Sequence, residues 1–291
     1  MFELQSTVIQ AFVDHILAKF QTMFSQAEPA QSQALDRAAH TALEFLLHCD
    51  CPYHDVQHTI LVTDVGQALL HGRQLARGDL DANDWLQAVV AMLFHDIGYL
   101  KNLLREDNEQ TCIVDPDGSR VTPPVGSTDA FMTPFHVTRG IMFVHERFSN
   151  DHVIDTDAVA ECIEMTRFPV PARSDYRQTD TLPAIVRCAD LVGQMADPQY
   201  LQKLSRLYAE FAETGDAARM GFTNPGDLRD GFPDFFYDQV HPYIGTEVGY
   251  LKRTQEGQQW LANLYHHLHL DQSEPRNDPR LRAPELVVDN A

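Results

Sequence analysis

Three stretches of this chain carry side chains whose type and spacing suit metal chemistry. Phe94-His95-Asp96-Ile97-Gly98 sets an imidazole beside a carboxylate. Neighbouring side chains on a helix point about 100° apart, so such a pair can clasp one ion only at a helix end or a distorted turn. Gly98 fits that need, since glycine commonly stops a helix. Upstream, Tyr53-His54-Asp55-Val56-Gln57-His58 places two histidines four residues apart, the spacing of one helix face. Downstream, Cys188-Ala189-Asp190-Leu191 puts a carboxylate into an otherwise apolar helical pattern, where an ionised Asp is costly unless paired or metal-bound.

Helical periodicity supplies the elements that must position these residues. From Phe2 to Phe24 apolar residues recur at Val8, Ile9, Phe12, Ile16, Leu17, Phe20 and Phe24, which predicts an amphipathic helix within residues 1–30. Its polar face is not basic, so it reads as a core-packing or dimer-forming helix rather than a membrane-surface one. A second helix is expected from about Ser32 to Leu47, and a third from Tyr53 to Leu70 after Pro52. Asn83 or Asp84 is placed to cap the helix that leads into His95-Asp96. Asp115-Pro116-Asp117-Gly118, Pro123-Pro124 and Gly126 mark residues 102–130 as an insertion loop, either a lid or a surface loop.

Helical patterns resume at about 133–149, 155–167, 182–196, 199–214 and 234–270. The last segment, 271–291, mixes prolines and charges without period and is expected to be a disordered tail. The fold class expected is all-α.

Composition narrows the function. The formal net charge is −20, which argues against a nucleic-acid polymer as partner. An acidic chain can still act on a small phosphate ester when a metal supplies local positive charge. No apolar run suggests a membrane span, and the N-terminal pattern is interrupted by Glu3, Gln5, Gln10, Asp14 and Lys19, so a cytoplasmic protein is expected. Cys49, Cys51, Cys112, Cys162 and Cys188 are odd in number and scattered, which reads as reduced thiols. No second cysteine pair completes a zinc-ribbon pattern around Cys49 and Cys51.

Taken together, Tyr-His-x-x-x-His, His-Asp and Ala-Asp-Leu resemble the HD superfamily of metal-dependent phosphohydrolases, over roughly residues 40–200. The first segment is most similar to the cyclic-nucleotide phosphodiesterase branch, with Asp55 where Tyr-His-Asn-x-x-His has Asn. The resemblance implies an HD-domain helical bundle at 31–270, between the N-terminal helix and a C-terminal helical extension. It implies that His58, His95, Asp96 and Asp190 hold a first divalent cation, with Asp96 bridging to a second if one is bound. His54 matches the family's general acid. Imidazole and carboxylate ligands suit Mn, Fe, Ni or Zn, and a carboxylate-and-water second site suits Mg or Mn. Such a cation makes water a stronger acid and offsets charge on phosphoryl oxygens, while a histidine protonates the departing alkoxide.

Other residues have two readings each. His136 could ligate a second metal or hydrogen-bond its water, or it could serve a surface or capping role. Arg139 and Arg167 could grip a phosphate, or pair with local carboxylates. Gln194, one turn past Asp190, could orient substrate or be an ordinary helix residue. Gln239, after Phe235-Phe236-Tyr237, stands about where purine-selecting phosphodiesterases carry a glutamine, although the surrounding motif does not match. Tyr265, His266, His267 and His269 read as a solvated face before a third metal site.

The function expected is therefore hydrolysis of a phosphodiester in a nucleotide or cyclic nucleotide. Alternatives are a nucleotidase or other phosphomonoesterase, an HD-fold di-iron oxygenase, and a non-catalytic metal- or nucleotide-binding module. HD-GYP phosphodiesterases and the oxygenases would need one more histidine near Met165-Thr166-Arg167, where this chain has none.

Overall fold

Four of the helices around the site begin at a polar side chain in extended backbone that turns back on the first free amides. Asp55 accepts from the amides of Gln57 and His58, Asp81 from Asp84, Asp155 from Asp157 and Ala158, and Thr181 from Ala184. Such a cap stabilises a helix by about 1 kcal/mol. In the computed structural model, which describes residues 4–269, the chain is all-α. The long helices are α1 Leu4–Met23, α2 Pro29–Leu46, α3 Val56–Arg77, α4 Ala82–Phe94, α5 His136–Phe148, α6 Thr156–Glu164, α7 Leu182–Met195 and α8 Tyr200–Thr214. After them come α9 Asp216–Met220, α10 Pro225–Asp230, α11 Phe232–Phe235, a π-turn over Phe236–Val240, α12 His241–Ile244, α13 Val248–Leu251 and α14 Gln255–His269. The expected tail, 271–291, lies outside the described residues. Among those described, no helix is long and apolar enough to cross a membrane.

α3, α4 and α7 form the centre of the bundle, and the pairing of α3 with α7 is the closest. A Cβ built on Gly193 would stand 2.8 Å from the Cα of Val62, so only glycine lets the two backbones touch there. Asp190 lies one turn before Gly193 and His58 one turn before Val62, so this approach brings Asp190 to His58. The N-terminal helix packs as core: Ile9, Val13, Ile16 and Phe20 are buried in the main cluster with Leu35, Leu43 and Leu46 of α2.

Several boundaries depart from the sequence expectation. α3 starts at Val56, not Tyr53, because Asp55 is its cap; His54 therefore precedes the helix. The same helix runs past its expected end at Leu70 to Arg77 and stops at Gly78, whose φ of 64° is left-handed. Asp81, rather than Asn83 or Asp84, caps α4. The stretch 234–270 is not one helical pattern but a series of short helices; Pro242 opens α12 and a break at Gly245 follows it.

The insertion 102–130 is ordered around one buried ion pair. It contains a two-stranded hairpin, β1 Cys112–Ile113 with β2 Arg120–Val121, in which Cys112 pairs with Val121. Arg139 of α5 has no solvent exposure. Its guanidinium donates to Asp107 Oδ2 at 2.9 Å, to the carbonyls of Gly98 and Leu100 at 3.0 and 2.7 Å, and to that of Ile113. Burial would raise the Asp107 carboxyl, but Arg139 and the amides of Leu104 and Ile113 hold it below its ordinary value. Removing one partner of a buried pair leaves an uncompensated charge, so Arg139→Met is expected to destabilise the fold by about 3–5 kcal/mol. A depressed carboxylate contributes stability that is present above its unfolded pKa and lost as pH falls through the folded one. Denaturant melts should therefore show the gap between Arg139→Met and wild type closing on acidification below about pH 4.

Candidate functional site

The His-Asp pair sits at a helix end, as its chemistry requires. α4 finishes at Phe94, His95 closes it in helical conformation, and Asp96 departs with φ −103° and ψ 1°. That departure removes the 100° offset and turns both side chains to one point. A Cβ on Gly98 would meet the carbonyl of His136 at 1.9 Å, so glycine here admits the start of α5 against the following 3₁₀ turn, Ile97–Tyr99.

His58, His95, Asp96 and Asp190 converge. His95 Nε2 lies 3.3 Å from His58 Nε2 and 3.2 Å from Asp96 Oδ2, and His58 Nε2 is 3.3 Å from that same oxygen. Asp190 Oδ1 is 3.5 Å from His58 Nε2 and 3.6 Å from His95 Nε2. Four donors held about 2.0–2.2 Å from one ion stand roughly 2.8–3.6 Å apart, so these spacings fit a single cation. His58, His95 and Asp190 form a buried to half-buried group that could hold a metal. Asp96 Oδ2 is buried and makes no hydrogen bond, a costly position for a carboxylate oxygen that a cation would relieve. His95 Nδ1 donates to the carbonyl of Met92 at 2.8 Å, which fixes the ring with Nε2 inward. Burial opposes charge on all four groups, yet they hold one another ionised. Asp96 is driven well below the usual carboxylate range and Asp190 to about 2, chiefly by the histidines, while the two carboxylates raise His58 and His95.

His54 reaches the same space from the turn before α3. Its Nδ1 donates to Glu210 Oε2 at 2.5 Å, while Glu210 Oε1 accepts the amides of Tyr53 and His54 at 2.6 and 3.1 Å. Nε2 is left as the nitrogen available for chemistry. Burial disfavours its charge, but Glu210, with Asp96 and Asp190 behind it, raises His54 to about 9. Its ring stacks on Tyr99 at 4.8 Å, and Tyr99 stacks on His136 at 4.3 Å. His136 Nδ1 lies 2.6 Å from the carbonyl of Thr133, and Nε2 stands 3.8 Å from Asp96 Oδ1. Burial lowers its pKa, which keeps a lone pair facing that carboxylate.

A cavity of about 260 Å³ opens on these groups and is lined by His54, Asp96, His136, Asp190 and Gln194 among others. The remaining candidates fall elsewhere. Arg139 is buried around Asp107, and Arg167 is bound by Glu164 at 2.7 and 2.8 Å, with Thr138 beyond; local carboxylates have claimed both. Neither lines the cavity. Gln239 is exposed on the π-turn and does not line it either. His267, expected on a solvated face, is buried and bonds the carbonyl of Met195 at 2.8 Å, tying α14 to α7. A second acidic grouping, His15 with Asp64 and Glu256, is neutralised by Lys19, which bridges the two carboxylates at 3.0 and 2.6 Å.

Two residues at the site escaped the sequence reading, Glu210 and Tyr99. The signal for Glu210 was its place on the buried stripe of α8, after Tyr200, Leu204 and Leu207. A carboxylate on an apolar face needs a partner, as Asp190 does. Tyr99 carried no signal beyond its closeness to the His-Asp pair.

Neither the curated proteins nor the solved structures contain a match to the chain. The model of the Npun_R2479-like family matches residues 2–273. Covering nearly all of the 291 residues, that match shows that the chain belongs to the Npun_R2479-like family.

Proposed function

We propose that this chain is a metal-dependent hydrolase of small phosphate esters, with the HD-type site that its motifs resemble. The observation that carries the reading is the set of four donor atoms from α3, the end of α4 and α7, mostly 3.2–3.6 Å apart around an unpartnered carboxylate oxygen. His58, His95, Asp96 and Asp190 would hold the cation, which supplies Lewis acidity to the phosphoryl oxygens and makes water a stronger acid.

The chain's own residues do the rest. Asp96 and Asp190 enter the site ionised and the Met92 carbonyl holds Nε2 of His95 inward, so loading displaces protons from the two histidines with little movement of the side chains. His54 holds a proton on Nε2 at neutral pH because Glu210 stabilises its charge. As water adds to phosphorus and the P–O bond to the alcohol breaks, the leaving oxygen keeps the bonding electrons and takes the His54 proton. Glu210 does not touch substrate; it fixes the tautomer and the angle of the ring. Glu210→Gln should lower turnover by about 10–100-fold. It should also move the alkaline limb of the pH–rate profile to lower pH, because the acid form of His54 loses its counter-charge. A limb that stays in place would remove Glu210 from this role.

The test of the reading is a panel of phosphomonoesters and phosphodiesters assayed with the chelated chain and the chain reloaded with Mn²⁺. Turnover lost on chelation and restored by metal is expected. Loaded protein that turns over no ester would leave only a metal-binding module.

One observation favours a second reading. His136 faces the other oxygen of Asp96 at 3.8 Å, where it could ligate a second metal as a dinuclear oxygenase would require. Opposed to it, the segment 165–167 brings Thr166, not a histidine, to the cavity. Oxygen uptake on loading with Fe²⁺ and substrate would decide for it.

A further inference from the structure

The cavity beside the cluster is built for hydrocarbon. Past Asp190 and Gln194 its wall is Leu204, Leu207 and Phe211 from α8, faced by Leu228, Phe232 and Phe235 from the short helices that follow. Among the described residues that line it there is no lysine or arginine. Its carboxylates are Asp96, Asp190 and Glu210 at the metal end and Asp216 at the rim, where Thr214 and Arg219 bind it. Arg139 and Arg167, the two arginines whose sequence context suited a phosphate, are held by Asp107 and Glu164.

Additional phosphates of a nucleotide would find no lysine or arginine in the lining, and a sugar's hydroxyls would lose water against the leucines and phenylalanines past Gln194. The volume, about 260 Å³, is also below the roughly 300–1,000 Å³ usual for pockets that hold drug-sized ligands. An alkyl or aryl group meets the opposite situation, since burial against leucine and phenylalanine favours it.

Resting on the hydrolase reading above, we propose that the substrate is the phosphate monoester of a compact apolar alcohol or phenol, with its carbon portion lodged between α8 and residues 228–235. This narrows the expected substrate away from nucleotides. The phosphoryl group sits at the metal end near His54, and the ester oxygen lies between the two halves of the cavity.

Calorimetric binding of n-alkylphosphonates, ethyl to octyl, to the Mn²⁺-loaded chain tests this without relying on turnover. Affinity should tighten about fourfold for each added methylene until the chamber is full. Adenosine monophosphate should bind more weakly than hexylphosphonate. Phe235→Gln and Leu228→Gln, both at half-buried positions, should each flatten the ladder, so that the loss of affinity relative to wild type grows with chain length. A flat ladder in the wild type, or tighter binding of adenosine monophosphate than of octylphosphonate, would overturn the proposal. Turnover of the matching alkyl phosphates separates the two claims. A steep ladder without hydrolysis keeps the apolar chamber and ends the hydrolase reading, whereas nucleotide hydrolysis with a flat ladder does the reverse.

Discussion

Asp96→Ala is expected to lower turnover by about a thousandfold or more and to release the cation. The size follows from what the cation supplies: several kcal/mol of charge stabilisation at the phosphoryl group, at about 1.4 kcal/mol for each factor of ten. Asp96 is the residue whose loss does most. Its Oδ2 stands 3.2–3.3 Å from both histidine Nε2 atoms, and its Oδ1 faces His136. Removing it also leaves His58 and His95 with Asp190 as their remaining carboxylate within salt-bridge distance. The check is turnover measured beside metal content for wild type and variant. A variant that keeps its metal and its rate would show that the cluster is only a buried ion-pair network.

His54→Ala should separate chemistry from metal binding. General acid catalysis contributes about 10²–10⁴-fold, so kcat is expected to fall by that factor while the cation stays bound. The geometry supports the separation, because His54 is held by Glu210 and Tyr99 and is not among the four converging donors. An ester whose alcohol is a good leaving group needs little protonation. The deficit of His54→Ala should therefore shrink along a series of aryl phosphates of falling phenol pKa. If His54→Ala kept full activity on alkyl esters while Asp96→Ala lost it, the proton would come from elsewhere.

How much of this was legible in the sequence depended on what kind of signal each residue gave. Three of the four converging donors were legible because they broke a local rule, Asp190 as a carboxylate in an apolar helix and His95-Asp96 as a pair that helical geometry cannot bring together except at an end; His58 was legible from its spacing to His54. The elements that position them were legible from apolar periodicity, apart from their starts. His54 was misplaced onto α3 because Pro52 was read as marking the helix start, whereas the side-chain oxygen of Asp55 takes the first amides. Arg139 and Arg167 read as phosphate ligands or as ion-pair partners, and only the fold brings Asp107 and Glu164 within reach. The segment 215–233 was given no element, because Met220, Phe222, Leu228 and Phe232 are scattered among Gly215, Gly221, Pro225 and Gly231 without a helical count. Those four apolar residues line the cavity, so the part least readable from pattern is the part that would select the substrate.

The most direct measurement is anomalous diffraction from a crystal of the chain grown with Mn²⁺, recorded where manganese scatters anomalously. The account predicts a peak about 2.0–2.3 Å from His58 Nε2, His95 Nε2, Asp96 Oδ2 and Asp190 Oδ1 together. A crystal with manganese bound elsewhere and those four side chains bonded only to one another would contradict it.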